Sequence, residues 1–188
     1  MNCIKSFLLD LMVSQCCLMI NLVARVVACS IIEFIFFRTA IGISHMVGKF
    51  IDGLIAFYFA RKRDDDEKKW TKIGMAAMND LRNWSTKSLW NFSNKADLLE
   101  AEYAFLKGMH EDAVTSYNSS IKNARDHRFI HEEGLAYEKY ATYLLRQNKH
   151  DEALNHLITA KRCYSWWGSD ALVARVDEAI AVLLPLCG

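Results

Sequence analysis

Along the second half of the chain, apolar residues return every three or four positions. Ala113, Tyr117, Ile121 and Ala124 are spaced 4, 4 and 3 apart, which keeps them on one face of a helix. Forty residues earlier the same slots hold Ile73, Ala77, Leu81 and Trp84; forty later they hold Ala153, Leu157, Lys161 and Tyr164. Eleven of these twelve residues are apolar or aromatic, so the three sets read as an internal repeat and not as one amphipathic helix. A partner helix precedes each set: Phe50–Lys62, Lys95–Gly108 and Ile130–Asn148. In the second of these, Leu98, Ala101 and Phe105 form one stripe and Leu99, Tyr103 and Leu106 another; in the third the apolar face is Leu135, Tyr140, Ala141 and Leu144. Gly108 and Asn148 suit helix C-termini, where the chain enters the left-handed conformation. Gly168 ends the last repeat helix, and Ser169 is placed to begin a closing helix with Ala171, Leu172, Val176 and Ile180 inward. Trp166 or Trp167 is expected to cover the open end of the stack.

The first 60 residues have a different character. Residues 4–60 are strongly apolar, and the charge cluster Arg61–Lys69 marks a solvated turn, with Asp64–Asp66 set to offset the next helix dipole. A spanning helix needs about 20 apolar residues. Asp10, Arg25, Glu33 and Arg38 interrupt the run, so residues 1–48 read as helices buried against a neighbour, with a membrane anchor through residues 7–37 as the alternative. The fold expected is all-α: a helical-hairpin solenoid over residues 49–188 behind a hydrophobic N-terminal helical segment.

Small residues at Ala101 and Ala113, then Ala141 and Ala153, are followed by Tyr117 and Ser120, then Leu157 and Ala160. This pattern resembles the tetratricopeptide repeat, with a period of forty where that family has thirty-four and with Asp97 and Glu100 where it has large apolar residues. The segments "GLIAFYFARK", "LWNFSNKADLLEAEYAFLKGMHEDAVTSYNSSIKNARDHRFIHEEGLAYE" and "CYSWWGSDALVARVDE" also look like the helical-repeat region of large signalling proteins. In those proteins a serine/threonine-kinase-like domain and an AAA-type ATPase precede the repeats, and GAF and histidine-kinase domains often follow. The resemblance implies a module that links such domains.

Composition agrees with an ordered helical chain. Of 188 residues, 52% are hydrophobic and only one is proline. Twenty-three basic and 22 acidic residues are well mixed after residue 60, with no basic stripe for a nucleic acid. Six cysteines lack a C-x-x-C pair and read as buried free thiols in a reducing, cytoplasmic compartment, with membrane association as the alternative localisation.

Candidate chemistry is sparse. His127 and His131 are four apart, but "DHRFIHEE" falls at a turn between hairpins, so no metal site is expected there. Glu132 and Glu133 begin a helix, and Glu100 and Glu102 read as a helix face. Cys163 has no partner thiol or histidine close in sequence and reads as a buried thiol. No phosphate-binding, kinase or hydrolase motif is present, so neither a catalytic residue nor a cofactor is assigned. The function expected is a non-enzymatic scaffold for protein partners or neighbouring domains in signal transduction, with a membrane-anchored repeat adaptor as the alternative. By the tetratricopeptide resemblance, the contact residues come from the first helix of each pair: Tyr103, Lys107, Glu138, Tyr143 and Arg146.

Overall fold

The computed structural model describes residues 33–62 and 66–186. Among them the chain forms seven α-helices and no strand: α1 Glu33–Lys62, α2 Glu67–Ser85, α3 Leu89–Lys107, α4 His110–Asp126, α5 Ile130–Arg146, α6 His150–Trp167 and α7 Asp170–Leu183, followed by a 3₁₀ turn at Leu184–Leu186. The fold is therefore all-α, as the periodicity implies. The chain divides into two compact units, Met1–His45 and Met46–Gly188.

Four of the connections in the second unit are copies of one another. Gly108, Arg128, Asn148 and Gly168, twenty residues apart, all have positive φ, at 69°, 61°, 58° and 82°. In each turn the residue after the left-handed one donates its N–H five positions back: Met109 to Ala104, Phe129 to Ala124, Lys149 to Leu144 and Ser169 to Tyr164, at 2.9–3.0 Å. The left-handed residue itself donates to the carbonyl three positions back, as Gly108 does to Phe105. These paired bonds are the Schellman motif, which satisfies carbonyls that a helix end would leave open. One further residue then starts the next helix, so the chain reverses within three positions.

Arg128 and Asn148 hold a conformation that a side chain disfavours. We expect Arg128→Gly to raise stability by about 0.5–1 kcal/mol and Gly108→Ala to lower it by about 1 kcal/mol, read from urea unfolding.

Consecutive helices pack on each other from α2 to α7, and α3 also touches α5. The second helices bury the positions that the repeat picks out. In α4 these are Ala113, Tyr117, Ser120, Ile121 and Ala124; in α6 they are Ala153, Leu157, Ala160, Cys163 and Tyr164. The four alanines at the hairpin crossings, Ala101, Ala113, Ala141 and Ala153, are fully buried, so helices meet there without an intervening side chain. Two positions of the three sets lie off the buried stripe. Lys161 stays at the surface, paired with Asp177 at 2.6 Å. Helix α2 is rotated relative to its counterparts: it buries Gly74, Ala77, Met78 and Leu81 and leaves Ile73 39% exposed. The Phe57 ring, wholly buried, lies where a Cβ on Gly74 would stand, at 2.6 Å, and so fixes which face of α2 turns inward.

The end of the chain also differs from the expectation. Trp166 is 81% exposed and Trp167 also faces solvent, so neither covers the stack. Leu172, Val173, Val176, Ile180 and Leu183 of α7 do so, while Ala171 points outward. Ser169 occupies the N-cap position of α7 without a side-chain bond, and Asp66 does the same at α2. The apolar run at residues 7–32, with Cys16, Cys17 and Cys29, lies outside the described residues, as do Cys3, residues 63–65 and Cys187. Among the described residues no helix is long and apolar enough to cross a membrane.

Candidate functional site

A surface groove of about 310 Å³ opens over the middle of α3. Its floor is Tyr103 and Ala104, and its walls come from α2 (Met78, Arg82) and α4 (Asp112, Thr115, Ser116). Arg82 Nε donates to Glu100 Oε1 at 2.6 Å along one wall. Tyr103 is wedged against Phe57 of α1, ring centroids 5.8 Å apart, which holds its ring at the groove floor. Methionine and aromatic surface next to charged groups can grip a peptide or a helix edge. Among the described residues no three His, Cys, Asp or Glu side chains gather to hold a metal.

Beneath this surface, carboxylates join the helices from inside. Glu102, read from sequence as part of a helix face, is 1% exposed. It accepts bonds from Arg61 Nη2 at 2.5 Å and from the Tyr117 hydroxyl at 2.7 Å, while Arg61 Nη1 donates to the Glu102 carbonyl at 3.1 Å. The guanidinium also lies over the Phe105 ring, 4.5 Å from its centroid. Burial works against the Glu102 charge, but Arg61, Lys139 and the two hydrogen bonds outweigh it and bring the carboxyl below its ordinary pKa. Burial first, and then the Glu102 charge and hydrogen bond, push Tyr117 well above the usual tyrosine value. Tyr117 remains a neutral donor.

The same three residue types recur further along. Glu138 Oε2 accepts from the Tyr164 hydroxyl at 2.8 Å and from Arg175 Nη2 at 2.6 Å, joining α5, α6 and α7. Glu132, in the first turn of α5, accepts from Asn94 at 2.5 Å and Lys95 at 2.7 Å. Burial opposes its charge, but bonds from His131, Lys95 and Asn94 prevail and lower its pKa. Asp97 accepts from Ser119 and Asn123 at 2.8 and 2.7 Å, yet burial still raises its pKa. The two carboxylates that depart from the tetratricopeptide pattern are therefore both engaged: Asp97 bonds across to α4 and Glu100 to α2.

The five contact residues named from sequence have separate fates. Tyr103 lines the groove, and Arg146 is exposed at the end of α5. Lys107 is exposed at the end of α3, 3.3 Å from Glu67, and borders a second groove of about 420 Å³ along α2. Glu138 is engaged with Tyr164 and Arg175. Tyr143 is 3% exposed, edge-on to Phe105 at 5.2 Å and bonded to the His110 ring at 3.1 Å. Of the two residues with the most specific internal partners, Tyr143 is thus drawn into the core and Glu138 is half-buried between helices.

Other chemical candidates resolve into packing. His127 stacks on Trp90 at 4.6 Å and His131 on Trp167 at 4.9 Å, so the imidazoles are turned to different tryptophans across the α4–α5 turn. Cys163 is buried beside Gly134 and Tyr164, and burial pushes its thiol up to about 11. A thiol with that pKa is a poor nucleophile at neutral pH. The buried Glu102 was the main residue missed, although a signal for it existed. It sits in "LLEAEYAFL" beside Leu98, Ala101 and Phe105, on the apolar side of α3.

Compared with protein-family models, curated proteins and solved structures, the chain matches none.

Proposed function

We propose that the chain is a non-enzymatic scaffold: a tetratricopeptide-like solenoid of helical hairpins that holds a protein partner or the neighbouring domains of a larger signalling protein in the cytoplasm. The observation that carries this reading is the shared register of α4 and α6. Ala113 and Ala153, Tyr117 and Leu157, Ser120 and Ala160, and Ala124 and Tyr164 are buried pairs forty residues apart, between turns of one type. A chain built from equivalent hairpins presents an extended surface with each groove between neighbours, which is the way repeat proteins hold partners. The groove over Tyr103 is the contact site of this reading, with Lys107 and Arg146 beside the helix ends.

Site-specific photocrosslinking in the source cell tests it. A photoreactive amino acid at Tyr103 or Arg146 is expected to give a discrete protein adduct that the same group at Lys122, on the outer face of α4, does not give. Identical products at all three positions, or none at Tyr103 and Arg146, would overturn the proposal.

A further inference from the structure

The groove over Tyr103 has a counterpart one repeat on, and there the chain fills it with its own side chains. Helices α3 and α4 meet as α5 and α6 do, with buried alanines at both crossings and the same turn within each pair. The residues that α3, α4 and their turn give to the groove therefore compare directly with those forty positions later. Tyr103 corresponds to Tyr143, Glu100 to Tyr140 and Ser116 to His156. The Tyr140 ring is 6% exposed, 4.5 Å from the His156 ring, 6.1 Å from Tyr143 and stacked on Tyr117 at 4.9 Å. Lys149 pairs with Glu152 at 3.1 Å, near enough that both charges act on the Tyr140 hydroxyl.

Over Tyr103 a ring and a cation are both missing. Glu100 reaches to Arg82 and supplies no ring, and Ser116 has a hydroxyl where His156 has an imidazole. Met109 stands where Lys149 supplies its charge. Asp112, in the place of Glu152, is exposed and among the described residues has no ion pair. The opposite wall suits a ring as well: Met78 offers a thioether and Arg82 a guanidinium, and both groups pack favourably on aromatic faces.

We infer that this groove takes an aromatic side chain of a partner protein with a lysine or arginine beside it. The ring lies over Tyr103 as Tyr140 lies by Tyr143, and the cation meets Asp112 as Lys149 meets Glu152. The inference rests on the scaffold reading above and narrows its partner to a segment that carries this pair. Charge complementarity sets the sign, because Arg82 is already neutralised by Glu100 and Asp112 is the carboxylate left over.

The probe is the capped peptide Gly-Lys-Ser-Tyr-Ser-Lys-Gly, titrated into the isotope-labelled full chain and followed by NMR. Its two lysines bring a cation to Asp112 in either chain direction. Saturable shift changes are expected at the amides of Tyr103, Asp112 and Ser116. Replacing the tyrosine by leucine, or both lysines by glutamate, is expected to weaken binding about tenfold. Asp112→Lys is expected to reverse the preference, so that the glutamate peptide binds better than the lysine one. Glu100→Tyr with Ser116→His gives the groove the side chains of its counterpart and is expected to abolish binding. Circular dichroism checks that each variant folds, and Asp112→Lys, at an exposed site, decides the matter by itself if the filled variant does not.

The inference is overturned by absence of saturable shifts at those three amides, by equal binding of the leucine peptide, or by a lysine preference that survives Asp112→Lys. Trp166, 81% exposed with Arg162 one turn before it, is such a pair on this chain. Its insertion into a second copy would be head-to-tail and would build rings or filaments. Self-association dissolved by both Trp166→Ala and Asp112→Lys would therefore assign the groove to a second copy and overturn the inference too. If the peptide fails while crosslinking at Tyr103 still yields a protein adduct, the aromatic–cation pair falls and the scaffold reading stands.

Discussion

Replacing Glu102 with alanine is expected to lower the stability of the chain by about 3–5 kcal/mol at pH 7, the range for breaking a buried ion pair from one side. The carboxylate lies at the meeting of α1, α3 and α4 and accepts from Arg61 and Tyr117. Its removal strands a guanidinium of which little is exposed and a fully buried phenol. Arg61→Met is expected to cost a similar amount by stranding the carboxylate. Glu102→Leu combined with Arg61→Met is expected to recover much of either loss, because the double change leaves no unpaired charge. Equal losses in the single variants with no recovery in the double would point to packing, not charge, as the source.

The pH dependence has a definite sign. The Glu102 carboxyl titrates lower in the folded chain than in the unfolded one. Its stabilisation is therefore complete above the unfolded value, about 4.3, and is lost as the pH falls towards the folded value. Urea midpoints are expected to fall between pH 6 and pH 3.5, and to fall less in the Glu102→Leu, Arg61→Met double variant. The Glu132 carboxyl, also lowered, contributes in the same direction in both proteins and cancels in the comparison.

The second large effect separates two residues in one register. Gly134→Leu is expected to destabilise by about 1–3 kcal/mol through overpacking. A Cβ there meets Tyr164 Cε1 at 2.9 Å and Cys163 Cβ at 3.1 Å. The tyrosine cannot swing aside while its hydroxyl is bonded to Glu138. Ala174→Leu, forty residues on, is expected to change stability by less than about 0.5 kcal/mol, since nothing in the described chain covers that side of α7. Chemical denaturation of the two variants checks this. Similar losses at both sites would mean that α7 is covered by something other than the helices described.

Much of this fold was legible in the sequence because its signals are local. A period of 3.6 places Ala113, Tyr117 and Ala124 on one side of α4 whatever surrounds them, and Gly108, Asn148 and Gly168 end helices by backbone geometry alone. Arg128 was not legible as a left-handed residue, because nothing in an arginine favours that conformation. Its turn is imposed by its neighbours, and the clue that includes it is that Gly108 and Asn148 lie forty residues apart, twice the gap between Asn148 and Gly168. The rotation of α2 depends on one ring, Phe57, in another helix, which periodicity within α2 cannot register. The site was less legible than the fold for the same reason. Whether Tyr143 or Glu138 faces a partner or the core depends on His110, Tyr164 and Arg175, residues 33, 26 and 37 positions away.

The claim that organises the rest is that one turn recurs every twenty residues between equivalent helices. Backbone NMR of the full chain tests it most directly, through Cα and Cβ shifts and HN–Hα couplings from residue 89 to residue 183. The account predicts helical shifts interrupted at four points only, with Gly108, Arg128, Asn148 and Gly168 each showing the coupling and shifts of positive φ. A helix running unbroken through Arg128 or Asn148, or a left-handed residue displaced from that spacing, would contradict it.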